Sequence, residues 1–138
     1  VALGTDGAAS NNNLNIMQDM YLFGVVYKGY FRDPTIITPA EVLHAATRAG
    51  ALSQGRDDSG LLAVGMRADL CVLNTDTPQF TPMTSAACNV VYAAQGADIR
   101  MTMVDGEILY RDGEFKTIDI EKVKAEVQRR TDSILSRL

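Results

Sequence analysis

The residues of this chain best suited to chemistry lie in one segment, Gly4-Thr5-Asp6-Gly7-Ala8-Ala9-Ser10-Asn11-Asn12-Asn13. The apolar run from Val1 to Thr5 reads as a buried strand that delivers the Asp6 carboxylate at its C-terminal end. Folds built on parallel strands keep their chemistry at that end, and the small residues after Asp6 leave space for a ligand. An equally open reading has Asp6 capping the Ala8 to Asn13 loop by accepting backbone N–H groups. A phosphate cradle is disfavoured, since no Gly-x-x-x-x-Gly-Lys pattern is present and a carboxylate repels an anion. Ser10 is a weak nucleophile candidate, because a serine needs a positioned base and the single histidine falls on a different expected helix.

That histidine, His44, sits among Leu43, Ala45 and Ala46 and reads as a packed or half-exposed helical side chain rather than a ligand. One histidine and one aspartate do not close a three- or four-donor metal site. Cys71 and Cys88 lack metal-type spacing and read as reduced core thiols. The chain therefore carries a candidate carboxylate without a complete catalytic set.

The elements that must position Asp6 follow from periodicity and capping signals. Asn12 or Asn13 is the expected N-cap of a helix from Leu14 to Tyr30. Its apolar residues surround nearly the whole circumference, so neighbours are expected on several sides. Thr38-Pro39-Ala40-Glu41 is a capping box with proline at the first helical position, opening a helix from Pro39 to about Ala49. From Gly60 the texture changes, and Ala68 to Leu73, apolar on both faces, reads as a central strand. Thr75 to Thr84 reads as a loop, and Ser85 to Ala94 as short helix or irregular chain. Ile99 to Val104 and Glu107 to Tyr110 flank Asp105-Gly106, a two-residue hairpin turn. Asp112-Gly113 marks a further turn before a last helix, capped by Asp119 and stapled by Ile118 and Val123. The narrow apolar stripe of that helix is compatible with a coiled-coil seam, but with fewer than three heptads it is expected to dock on its own domain.

Length and composition bound the rest. The 138 residues are 46% hydrophobic and 22% charged, which is globular composition, and a chain of this size ordinarily buries roughly 70% of its unfolded surface. The formal charge of −4 and the absence of a basic block argue against a nucleic-acid surface. No apolar stretch approaches a membrane span and no signal peptide is visible, so a cytoplasmic protein without a membrane partner is expected. A complete eight-stranded α/β barrel needs about 250 residues, more than are present. A strand opening at residue 1 without an initiator Met points to a polypeptide that continues upstream, although removal of Met ahead of Val gives the same start.

The segments Leu3-Gly4-Thr5-Asp6-Gly7-Ala8-Ala9-Ser10-Asn11-Asn12, Asp33-Pro34-Thr35, Pro39-Ala40-Glu41-Val42-Leu43-His44-Ala45-Ala46-Thr47, Gly60-Leu61, Gly65-Met66-Arg67-Ala68-Asp69-Leu70 and Val104-Asp105-Gly106-Glu107 are collinear along nearly the whole chain. Together they resemble the C-terminal third of an amidohydrolase-superfamily enzyme, in the branch of methylthioadenosine/S-adenosylhomocysteine deaminases and related chlorohydrolases. The resemblance implies an α/β fold class: the C-terminal portion of a (β/α)8 metal-dependent hydrolase barrel plus part of its accompanying small β-sandwich domain. Residues 1–58 would hold the last barrel strand and barrel-covering helices, residues 59–118 part of the sandwich, and residues 119–138 the C-terminal helix.

By the same resemblance Asp6 matches the aspartate that binds a single catalytic divalent metal, zinc or iron, and shuttles the proton of the activated water. The implied reaction is hydrolytic deamination of a purine-like or other amino-substituted ring, a small-molecule substrate. The family's His-x-His motif, two later histidines and upstream acid are absent, and His44 corresponds to none of them. The isolated chain is accordingly expected to hold no metal tightly, to be inactive, and to associate with itself or with a missing N-terminal portion through unpaired edges and an uncovered helix face. Loss of order near Val1 to Asn13 is the other expected consequence. Two rival readings stand beside this one: a binding or assembly module lacking the catalytic barrel, and a small independent α/β enzyme using Asp6 and Ser10.

Overall fold

The computed structural model describes residues 1–138. Helix α1, Ile16–Phe31, is capped by Asn15, whose side-chain oxygen accepts the Met17 N–H at 3.1 Å. The cap falls at Asn15 and not at Asn12 or Asn13, because the earlier asparagines serve their own loop: the Asn13 N–H donates to Asn11 Oδ1 at 3.0 Å. Helix α2, Pro39–Ala46, opens with the expected capping box. Thr38 Oγ1 accepts the Glu41 N–H at 3.4 Å, and Glu41 Oε2 accepts the Thr38 N–H at 2.7 Å.

The helix expected to run to Ala49 breaks at Thr47 and resumes as α3, Arg48–Ser53. A loop packed against the break accounts for this. Arg48 Nη1 donates to the carbonyls of Asp57 at 2.9 Å and Ser59 at 2.6 Å, and Gly60 lies so near that a Cβ there would sit 2.8 Å from Arg48 Cα. Helix α4, Ala86–Tyr92, resolves the ambiguous Ser85 to Ala94 stretch, with Ser85 as its N-cap. Met20 of α1, Val42 of α2 and Val91 of α4 form the central buried cluster. Gly24 permits the close crossing, since a Cβ there would approach Tyr92 Cε1 to 3.0 Å. Above it Lys28 Nζ donates to the Tyr92 hydroxyl at 2.6 Å.

The second layer is a four-stranded antiparallel sheet in the order β1-β2-β3-β4, comprising Leu70–Leu73, Ile99–Val104, Glu107–Arg111 and Glu114–Phe115. Asp105 and Gly106 both have positive φ, 53° and 81°, as a twist-matched two-residue turn requires. Asp69 Oδ1 accepts the Asp105 N–H at 2.7 Å and ties β1 to that turn. Two expectations need correction here. The strand from Ala68 to Leu73 is an edge and not central: β1 pairs only with β2, and Val72 is 45% exposed. Its two-faced apolar pattern asks for cover that this chain does not supply. Asp112-Gly113 forms the expected turn, and a two-residue strand, β4, lies between it and the last helix. Cys71 is exposed on β1 rather than a core thiol, while Cys88 is half-buried.

Helix α5, Ile120–Leu135, is capped by Asp119 as expected, Oδ1 accepting the Lys122 N–H at 3.0 Å. It does not dock on its own domain: no residue of α5 is buried and no other element packs along it. Ile118 and Val123 remain about half exposed. Val1 to Thr5 is also not a strand, for it pairs with none; its one backbone link to a helix is the Leu3 N–H donated to Ala45 O at 2.9 Å. The chain exposes 9768 Å2, where a compact monomer of this size exposes about 7,000 Å2. About 55% of the unfolded surface is therefore removed, short of the roughly 70% expected from length.

Three outcomes follow from the α2 and α3 region. Gly60 has φ +77° with backbone atoms of Thr47 and Arg48 against its missing side chain, so Gly60→Ala is expected to lower unfolding free energy in urea by about 2 kcal/mol or more. Gly50→Ala, in α3 with open space around it, is expected to raise it by about 0.5 kcal/mol. Hydrogen bonds from the Thr38 backbone N–H and hydroxyl hold the Glu41 carboxyl below the usual range, and the Thr35 hydroxyl and N–H do the same for Asp33. A carboxyl depressed on folding stabilises above its unfolded pKa, and the contribution is lost as pH falls through the folded value. Urea titrations between about pH 5 and 3 should show falling stability, with a shallower slope in Glu41→Gln.

Candidate functional site

Asp6 is held from both sides of the chain. Before it, Leu3 packs against the Met20, Val42 and Val91 cluster and donates its N–H to Ala45 O, so the segment leading to Asp6 is anchored on α2. After it, the chain turns at once: the N–H groups of Ser10 and Asn11 both donate to Gly7 O at 3.0 Å. Asn11 closes the loop. Its Nδ2 donates to Thr5 O at 2.7 Å, and its Oδ1 accepts from the Asn13 N–H at 3.0 Å. The side chain thus clamps the residue before Asp6 to the run that leads into the Asn15 cap of α1.

Asp6 itself adopts φ 60°, in the left-handed region. Aspartate tolerates this conformation better than most residues because its short polar side chain bonds locally. Here Oδ1 accepts the Gly7 N–H at 2.7 Å. This bond reaches only the adjacent N–H and does not cap the Ala8 to Asn13 loop, whose Ser10 and Asn11 N–H groups go to Gly7 O; it engages only one oxygen, and Oδ2 has no hydrogen-bond partner in the protein. The side chain is exposed. One oxygen is thus tied to the adjacent backbone, and the other carries no hydrogen bond.

The other candidates do not converge on it. His44 lies on an exposed face of α2, Ser10 is exposed within the turn, and Cys71 stands on β1 with its sulfur 3.9 Å from Thr102 Oγ1. No three His, Cys, Asp or Glu side chains gather into a group able to hold a metal ion. The residues of this chain thus do not by themselves fit a resident divalent cation, which needs three or more protein donors. Asp6 fits as a single donor. A cleft of about 310 Å3 lined by Met17, Tyr21, Leu22 and Tyr92 lies beside α1, with no contribution from Asp6.

Sequence reasoning missed Asn11 and Arg48, the two side chains that organise the loops around α2. An asparagine run after Asp-Gly is a signal for side-chain-to-backbone bonding, but it does not say which asparagine makes it.

Residues 1–109 match the profile of the amidohydrolase family. A 5-methylthioadenosine/S-adenosylhomocysteine deaminase of Acetivibrio thermocellus is 42% identical over 136 residues, covering 98% of this chain and 32% of that protein. An adenosine deaminase from Xanthomonas campestris, solved with bound zinc, superposes with TM-score 0.93 at 28% identity, over 98% of this chain and 31% of that one. Atrazine chlorohydrolase from Arthrobacter aurescens, solved with zinc, superposes with TM-score 0.83 at 26% identity, over 94% and 29%. The chain spans about a third of the length of the curated relatives it matches. Its fold class is that of the C-terminal portion of a (β/α)8 metal-dependent hydrolase with part of the accompanying sheet.

Asn11→Ala removes the clamp without touching the buried cluster. Amide exchange from Gly7 to Asn13 should accelerate roughly thirtyfold, as expected for two lost hydrogen bonds of about 1 kcal/mol each, while the urea midpoint stays where it was. Unchanged exchange in that segment would show that Asn11 does not hold the loop.

Proposed function

This chain belongs to the amidohydrolase family, and from that premise we propose that it is the part of a metal-dependent hydrolase that contributes Asp6 to the reaction centre. The reaction is hydrolytic deamination of an amino-substituted, purine-like ring of the adenosine type. The observation that carries this reading is the state of Asp6: placed by the Leu3 anchor and the Asn11 clamp, fixed through Oδ1, and open at Oδ2. The substrate class is supported by the deaminases among the relatives. The chlorohydrolase likeness extends the range of leaving groups to halide.

A divalent cation, zinc or iron, when bound, supplies Lewis acidity that lowers the pKa of the attacking water. The chain's own contribution is a carboxylate that takes the water's proton at Oδ2 as the oxygen attacks the ring carbon, and returns it to the ring's amino nitrogen, which departs as ammonia. Oδ1 accepts only the Gly7 N–H and keeps a lone pair that would hold the cation, which leaves Oδ2 for the proton. The division of labour along the chain is part of the proposal: residues 1–58 hold Asp6 and cover the barrel, residues 59–118 belong to the small sandwich, and residues 119–138 form the terminal helix. Helix α4, within the second stretch, packs on α1 and α2 and joins the first two parts. The remaining donors come from a portion of the polypeptide outside this sequence. The rival reading, an assembly module without a barrel, draws on the exposed apolar faces of α1 and α5.

Reading the coding sequence upstream of Val1 and assaying the complete polypeptide separates the two. Ammonia release from adenosine-type substrates is expected, and Asp6→Asn should lower kcat roughly a thousandfold with the fold retained by circular dichroism. The 138-residue chain alone is expected to release no ammonia and to retain no stoichiometric zinc or iron after dialysis. Activity that survives Asp6→Asn, or tight metal on the chain alone, overturns the assignment.

A further inference from the structure

Helix α5 carries two residue patterns that share one centre. The first is apolar. At 100° per residue, Ile120, Val123, Val127, Thr131 and Ile134 fall within about 40° of Val127 on the helix surface. This stripe is open, with Val127 58% and Ile134 62% exposed. The second pattern is charged and runs along one flank of the stripe: Glu126 in the first half and Arg130 in the second, with the N-cap Asp119 and Arg137, one residue past the C-cap, at the two ends.

We propose that α5 is a self-complementary surface on which a second copy of this chain docks, the two α5 helices lying antiparallel. When two helices pair antiparallel along an apolar seam, each flank meets its own counterpart running in the opposite direction. A flank acidic in its first half and basic in its second is then complementary to itself. Glu126 meets the partner's Arg130 and Asp119 meets the partner's Arg137, both pairs symmetric about residue 128. The stripe gives nearly the same centre independently: Val127 falls opposite the partner's Thr131 and Val123 opposite the partner's Ile134, within one residue of that point. A parallel arrangement brings this flank against the other one, where Lys124, Gln128 and Leu135 offer no matching set.

In the single chain Glu126 is shared. Arg129 Nη2 and Arg130 Nε both donate to Glu126 Oε1 at 2.7 Å, so Arg129 can keep the carboxylate while Arg130 turns across to the partner. The stripe spans under three heptads, which makes the dimer weak and concentration-dependent. The inference concerns a surface remote from Asp6 and stands whether or not the catalytic reading does.

Charge reversal tests it on the 138-residue chain. Glu126→Arg sets two guanidinium groups against each other across the seam, and Arg130→Glu sets two carboxylates against each other. Either variant alone should dimerise roughly tenfold more weakly by sedimentation, since two attractive pairs become repulsive. Mixed together they should restore dimerisation, and native mass spectrometry should find heterodimers in excess over both homodimers. The intrahelical bond between positions 126 and 130 is lost in both variants and in their mixture, so only the cross-helix pair explains restoration. Val127→Lys should dissociate the dimer with helix content unchanged by circular dichroism. Weakening without restoration on mixing overturns the antiparallel register. Sedimentation indifferent to all three variants overturns the self-docking surface and leaves α5 to another part of the polypeptide.

Discussion

The contact among Met20, Val42 and Val91 is the joint on which the rest of the helical layer hangs. Each side chain comes from a different helix, so losing any one separates an element from the other two. Leu3 leans on this cluster and its N–H is received by Ala45, another buried residue of α2. The position of the Asp6 carboxylate is thus set before it by the packing of Leu3 and its bond to Ala45, and after it by the Asn11 clamp on Thr5. A functional group on an irregular segment needs such an anchor, because loops carry little ordering of their own.

The same packing explains what remains open. Three helices meeting at one small cluster bury one stripe each, yet α1 is apolar almost all round, and Tyr30 on its outer side is 79% exposed. The sheet has an analogous imbalance: β1 is an edge with an exposed Val72, and α5 stands apart with most of its stripe in solvent. These are separate surfaces, but they share a cause. Their sequences are patterned for cover on more faces than 138 residues provide, and the excess of exposed area over a compact monomer measures the shortfall.

Local signals were the legible ones. The Thr38 to Glu41 capping box, the Asp105-Gly106 turn and the Asp119 cap are decided by residues within three positions of one another, and each formed as read. What failed needed distant partners. The break at Thr47 depends on Arg48 reaching carbonyls nine and eleven residues on. Whether Leu70 to Leu73 is central or edge, and whether Val1 to Thr5 is a strand at all, depends on which other chain lies beside it, and periodicity does not carry that information. At the site, Asp6 stood out by residue type, but its setting was not readable: it lies on an irregular segment in the left-handed region and not at the end of a strand. The choice of Asn11 as clamp and Asn15 as cap, over Asn12 and Asn13, turned on three-dimensional reach.

Asp6 shows how the two kinds of signal meet. A left-handed φ at a residue other than glycine costs on the order of 1 kcal/mol, and the bond from Gly7 to Oδ1 offsets part of it. Glycine would satisfy the turn with no strain, so the conformation alone does not call for an acid. What an acid adds is the second oxygen. The loop uses one oxygen of the carboxylate to hold its own shape and leaves the other unbonded toward solvent. An asparagine in the same place could keep the bond to Gly7 through its carbonyl, but would present an amide nitrogen that takes up no proton. The geometry is therefore indifferent between the two residues, and the chemistry is not.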